Sequence, residues 1–173
     1  MKRLPVCPHC GSKNVERTED FYICKDCQSA FGRKPLADDG TDLIDAVTGM
    51  RFRFGDIVSD SVRLRFVQDG DVALYEVYDA KDGGLNKYAG VLGEAEWKEL
   101  KRKMLEDLFV YDWDRYYIPV NDGRDLRDLD EWSFNLMVND NEDYEFSGVD
   151  EYPVYWKQFR KLIDPFFSKI GEN

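Results

Sequence analysis

Residues 51–54, Arg-Phe-Arg-Phe, and residues 62–66, Val-Arg-Leu-Arg-Phe, decide the fold of most of this chain. Phe52 and Phe54 fall on one side of an extended backbone, with Arg51 and Arg53 on the other. Val62, Leu64 and Phe66 repeat the pattern against Arg63 and Arg65. Successive side chains of a strand point to opposite faces, so a period of two predicts half-buried antiparallel strands with one apolar and one cationic face. If the two strands pair in an even register, Arg53 and Arg65 lie side by side, with Arg51 and Arg63 near them.

Working toward the C-terminus, Asp69-Gly70 reads as a hairpin turn into Val72–Tyr78, and Asp82-Gly83-Gly84 as another into Leu85–Leu92, giving a four-strand meander. Glu94–Phe109 follows with Trp97, Leu100, Met104, Leu105 and Leu108 on one helical stripe, and Glu94 and Glu96 in the first turn, where the helix dipole favours acids. Tyr111–Val120 is aromatic and predicts a further strand stopped at Pro119. Trp132, Phe134, Leu136 and Val138 alternate inward, and Tyr144 and Phe146 return after a polar turn at residues 139–143. Pro153 suits the first turn of a last helix, in which Trp156, Phe159, Ile163, Phe166 and Ile170 keep helical spacing and Pro165 marks a kink or break. Both halves thus run hairpin, then helix. The body predicted for residues 51–173 is an antiparallel sheet with two main helices, an α+β class.

Working toward the N-terminus, residues 36–50 contain Asp38, Asp39, Gly40, Asp42 and Asp45 and read as an acidic linker. Before it stand all four cysteines, in two matched pairs: Cys7-Pro8-His9-Cys10 and Cys24-Lys25-Asp26-Cys27. Each pair folds into a knuckle presenting two sulfurs, and two facing knuckles close a tetrahedron about one Zn²⁺. Four thiolates leave no open coordination position, so the metal is expected to be structural, and His9 reads as an exposed spacer. The Cys-Pro-x-Cys-Gly opening, the aromatic pair Phe21-Tyr22 before the third cysteine and Phe31 after the fourth resemble the zinc ribbon family over about the first 30 residues. Gly11 supplies the positive φ that the first knuckle needs, and Gln28 stands where a second knuckle glycine is common. The resemblance implies a ribbon over residues 1–35 and a metal, and it implies no activity. The stretch from Trp132 through Gly148 to Tyr152-Pro153 resembles a tail of uncharacterised bacterial domains and likewise implies none.

Charge separates these parts. Residues 1–36 carry seven Lys/Arg against four Asp/Glu, a formal +3, and residues 37–173 carry 17 against 31, or −14. An acidic body repels a phosphate backbone at long range and favours a basic protein partner. Thiol pairs spaced for metal point to a reducing cytoplasm. No apolar run approaches 18 residues, and the sequence leads directly into the first knuckle, so neither a membrane span nor a signal peptide is expected. The body, with its own core, is expected to stay folded when the ribbon is lost.

Three classes of function compete. A binding or adaptor protein, such as an inhibitor or immunity-like protein, fits the acidic body. A nucleic-acid-associated regulator would use the ribbon's Lys13, Arg17, Lys25, Arg33 and Lys34. A hydrolase or nuclease would need carboxylates alone, since no cysteine or histidine remains for nucleophilic or proton-transfer work. The carboxylates are bland: Asp140, Glu142 and Asp143 sit at a hairpin turn, with Tyr144 where a calcium loop needs glycine, and Glu96-Trp97-Lys98 lies on a helix. The reading therefore favours binding over catalysis. Arg51, Arg53, Arg63 and Arg65 form a basic patch able to hold a phosphate or carboxylate, unless local acids such as Glu76 and Asp56 pair with them. Residues 121–131 read as a surface loop in which Asp125, Asp128 and Asp130 steer a basic partner and Leu126 and Leu129 anchor it, or as a plain connector. Trp113, Tyr116 and Tyr117 offer either partner surface or core.

Overall fold

A computed structural model describes residues 3–56, 61–80, 86–120, 123–125 and 128–170, the side chains of Glu142 and Asp143 excepted. The fold is α+β, with a three-stranded sheet and a seven-stranded sheet. The small sheet holds β1 (Val15–Arg17), β2 (Tyr22–Cys24) and β3 (Ala30–Phe31), paired antiparallel in chain order. The large one holds β4 (Val47–Asp56), β5 (Ser61–Asp69), β6 (Val72–Asp79), β7 (Asn86–Leu92), β8 (Tyr116–Tyr117), β9 (Asp130–Val138) and β10 (Asn141–Val149). Its order is β7-β6-β5-β4-β9-β10-β8. The predicted meander therefore forms one half, and the second hairpin joins it through β9 on the free side of β4. All neighbours are antiparallel except β8, which pairs parallel to β10.

Alternation in the sequence becomes two faces. Phe52, Leu64, Phe66, Tyr75, Val77, Trp132, Phe134, Leu136 and Phe146 are buried on one of them. Two helices cover that face: α2 (Glu94–Arg102) and α3 (Trp156–Phe167). Trp97 of α2 stacks on Phe66 with ring centroids 5.6 Å apart, and Phe159 of α3 meets Phe52 and Phe134 edge-on at 5.5 and 5.0 Å. These contacts bury large apolar area, and the polar atoms of the rings are satisfied: Trp97 donates to Gln68 Oε1 at 2.9 Å and Trp132 to the Glu151 carbonyl at 2.8 Å. Lys101, also buried, donates to the Val47 carbonyl at 3.2 Å, and desolvation pulls its pKa down.

Several elements differ from the sequence reading. The helix expected to run to Phe109 changes at Lys103 into a π-helical turn, Lys103–Asp107, and Phe109 then takes a left-handed conformation at φ 53°. The strand expected over residues 111–120 shrinks to β8, because residues 110–112 form a 3₁₀ turn instead. The second hairpin turns at Asn139-Asp140, both with positive φ, which is tighter than a turn over 139–143. Pro153 precedes α3, which begins at Trp156, and Pro165 lies within it. The expected Asp82-Gly83-Gly84 turn lies outside the described residues. In the acidic segment, Asp42 caps the short helix α1 (Leu43–Ala46) by accepting from the Ile44 N–H at 3.1 Å. Ala37, Leu43 and Ala46 there are buried in the same continuous core as Cys7, Phe31 and the sheet.

Candidate metal centre and the arginine face

The two knuckles repeat one backbone pattern. The Cys7 N–H donates to the Ser12 carbonyl and the Gly11 N–H to the Cys7 carbonyl, both at 2.9 Å; the Cys24 N–H donates to Ser29 at 2.9 Å and the Gln28 N–H to Cys24 at 3.0 Å. Gly11 sits at φ 75° and Gln28 at 64°. Gln28 thus adopts the left-handed conformation that glycine takes in the first knuckle, and its side-chain amide donates to the Lys25 carbonyl at 2.9 Å. Ser12 and Asn14 of the first knuckle both donate to Asp26 of the second, which ties the knuckles together and holds that carboxyl below its usual range.

This frame brings all four predicted sulfurs together. The Sγ atoms of Cys7 and Cys27 are 3.7 Å apart, those of Cys10 and Cys24 are 3.5 Å apart, and all four lie within 4.8 Å of one another. Four thiolates about 2.3 Å from one ion would stand roughly 3.8 Å apart at the edges of a tetrahedron. The donor set therefore fits a metal ion. Cys7 and Cys24 are buried, whereas Cys10 and Cys27 reach the surface. Desolvation pushes the Cys7 thiol up to about 12, and the hydrogen bond with the Ser29 hydroxyl, 3.2 Å from the sulfur, brings Cys27 down to about 6.

Behind the centre the ribbon is fastened to the body. The Tyr155 hydroxyl accepts from the Val6 N–H at 3.0 Å and donates to the Val6 carbonyl at 2.7 Å, one residue from Cys7. Phe109 sets its ring edge-on to both Phe31 and Tyr22, with centroids 5.2 and 6.2 Å away. Gly32, at φ 75°, donates its N–H to Asp112 Oδ2 at 3.0 Å, and a Cβ there would press on the rings of Tyr22 and Phe109. His9, read as a spacer, places Nδ1 3.4 Å from an Asp114 carboxylate oxygen. Sequence reasoning missed Phe109, Asp112 and Tyr155. Their partners are about 80 to 150 residues away in the chain, and no local pattern announces them.

The four arginines do share a face, the one opposite the helices. The register corrects their arrangement: Arg51 stands across from Arg65 and Arg53 from Arg63, so Arg53 and Arg65 are diagonal neighbours. A two-residue offset preserves the face while changing every pair. Asn135 and Ser133 continue these rows on β9, and Glu76 and Tyr78 continue them on β6. Together these residues line a shallow trough of about 490 Å³. Arg53 is 3.8 Å from Glu131.

In the segment proposed as a partner loop, Asp125 and Asp128 are exposed, and Leu126 lies outside the described residues. Leu129 is a correction: it is only 4% exposed, a core residue that cannot anchor a partner at the surface. Asp130 is the first residue of β9, opposite Asp56. Trp113 is buried and donates to the Leu108 carbonyl at 2.9 Å, Tyr117 is half-buried, and Tyr116 is exposed. Among the ribbon cations, Lys25 pairs with Glu16 at 3.1 Å, Lys34 with Asp42 at 3.2 Å, and Arg33 stacks over Phe21 at 3.9 Å.

Compared with known proteins, the chain matches no family model, no curated protein and no solved structure. The zinc ribbon resemblance therefore rests on the residues themselves and on their clustered sulfurs. No helix among the described residues is long and apolar enough to cross a membrane.

Proposed function

We propose that this chain is a non-catalytic, cytoplasmic binding protein, in which Cys7, Cys10, Cys24 and Cys27 hold one structural Zn²⁺ and the acidic body meets a basic protein partner, as an inhibitor or immunity-like protein does. The observation that carries the reading is the cluster of four sulfurs, all within 4.8 Å of one another, with two of its members built into the core. Such a site suits a soft, redox-inert ion and leaves no position for substrate. The net charge of −11 supplies the attraction for a basic partner, with exposed Asp125 and Asp128 among its sources. The ribbon's own cations support a nucleic-acid role less well, because Lys25 and Lys34 are already paired with local acids and Arg33 with a ring.

Metal analysis of protein purified without chelator tests the first half of the reading, with one zinc per chain expected. A stoichiometry near zero in reduced protein, or iron in place of zinc, overturns it. Titration with duplex DNA at physiological salt tests the second half, with binding no tighter than ~10⁻⁵ M expected. Salt-dependent submicromolar binding would make the ribbon a reader of phosphates. With a basic partner in hand, Asp125→Asn with Asp128→Asn is expected to slow association and leave folding unchanged.

A further inference from the structure

The cationic face is an unusual place in an acidic protein. Two arginine pairs, Arg51–Arg65 and Arg53–Arg63, sit directly across β4 and β5, one pair beside the other. Like charges opposed across strands destabilise a sheet, and opposite charges are the ordinary solution at such positions. Cross-strand neighbours are ~5 Å apart at Cβ, and alternate residues of a strand about 6.7 Å apart. Four guanidinium groups therefore rise from a patch small enough for all of them to reach one ligand. Asn135 and Ser133 border the trough on one side and Tyr78 and Glu76 on the other. Lys87, across from Tyr78 on β7, sets its ammonium 5.0 Å from the centre of the Tyr78 ring and adds a fifth cation to the row.

We infer that this trough binds a small anion carrying two or more phosphoryl groups. Guanidinium forks match phosphate oxygens two at a time, and a phosphoryl group offers more acceptors than a carboxylate, so opposed arginines can share one. A chain of phosphoryl groups places one over each pair and removes the repulsion between them. The size of the trough, about 490 Å³, suits a small molecule. The surroundings also select against a long polyanion. Glu131, Glu145 and Glu76 flank the arginines within the face, and the whole chain carries −11. A nucleic-acid strand leaving the trough would run into that field, whereas a short phosphorylated ligand ends inside it.

The test is calorimetric titration of the full chain, zinc bound, with inorganic tripolyphosphate and adenosine triphosphate, against Arg53→Gln with Arg63→Gln. The expected result is micromolar binding that falls at least tenfold in the variant. Citrate and orthophosphate are expected to bind at least tenfold more weakly than tripolyphosphate. Because the variant keeps the cysteine centre, any chelation of its metal by the probe affects both proteins alike. The conservative pair Arg53→Lys with Arg63→Lys is expected to fall between them, since it keeps charge and loses the fork. The glutamine pair should melt at or above the temperature of the native chain, since it relieves an opposed like-charge pair; if it melts lower, the lysine pair, with at least a threefold loss of tripolyphosphate binding expected, carries the comparison. Tripolyphosphate and triphosphate binding alike separates a pure phosphoryl site from one that also reads a nucleoside. Three outcomes overturn the inference: no binding at millimolar probe, binding that survives the glutamine pair, or tighter binding of citrate or of an eight-nucleotide single strand than of tripolyphosphate.

Discussion

The ribbon and the seven-stranded sheet are held by different means. In the sheet, aromatic rings from β4, β5 and β9 meet rings from α2 and α3, and removal of apolar area from water carries the stability. The ribbon has three short strands and very few fully buried side chains of its own, chiefly Val15 and Phe31 besides two cysteines. A segment that small cannot bury enough surface to order itself, and it needs a staple. It has two: the sulfur centre on one side, and on the other the body, which lends Phe109, Asp112 and Tyr155. Borrowing runs both ways. Phe109 holds a left-handed backbone, uncommon for a bulky residue, at the end of a π-helical turn, with its ring held among Phe31, Tyr22 and Tyr155.

The largest test of this difference disrupts the cysteine centre, where we propose that zinc is held. Cys24→Ser, or a strong chelator, is expected to unfold residues 3–35, since in such modules binding supplies on the order of 10–16 kcal/mol that is also folding energy. A body with an independent core would be untouched. The shared core changes that expectation: the melting temperature of the sheet should fall by several degrees, and amides around Phe109 should exchange faster. A body that melts unchanged, followed by the near-ultraviolet signal of its tryptophans, would show that docking contributes nothing to it.

Phe31→Ala separates docking from metal, because all four cysteines stay in place. Emptying a fully buried aromatic site costs about 3–5 kcal/mol. Denaturant unfolding should show that loss while zinc content stays at one per chain. A loss of zinc at equal stability would mean that Phe31 serves the knuckles instead of the interface.

Tyr155→Phe gives the smallest effect and the sharpest one. It leaves the Val6 N–H and carbonyl without the hydroxyl, at an expected cost of about 1–3 kcal/mol. Desolvation also pushes the Tyr155 hydroxyl up to about 12. In the unfolded chain a tyrosine ionises near pH 10, so between about pH 10 and 12 the unfolded state gives up the proton first and binds fewer protons than the native one. Stability is full below that window and is lost across it, by an amount on the order of 2–3 kcal/mol. The decline between pH 10 and 12 should be shallower in Tyr155→Phe, and an identical decline would assign it to other groups.

What the sequence by itself determined is what local periodicity and spacing carry. The alternation through Phe52, Phe54, Leu64 and Phe66 gave the strands and their faces, because side-chain direction in a strand depends on parity alone. The stripe from Trp97 to Leu108 marked the first half of a helix pair, and the two Cys-x-x-Cys spacings placed four sulfurs on paired turns. Parity survives a slip of two residues, so it could place the arginines on one face without saying which stood opposite which. Only the tertiary structure decided that Arg51 meets Arg65. It also decided that Leu129, amid aspartates that read as a surface loop, is buried, and that a stripe of uniform helical spacing turns π-helical at Lys103. The fastening of the ribbon was decided there as well. Tyr155 and Val6 are 149 residues apart, and a contact at that separation is set by how two completed elements fit together, which no local stretch of either one encodes.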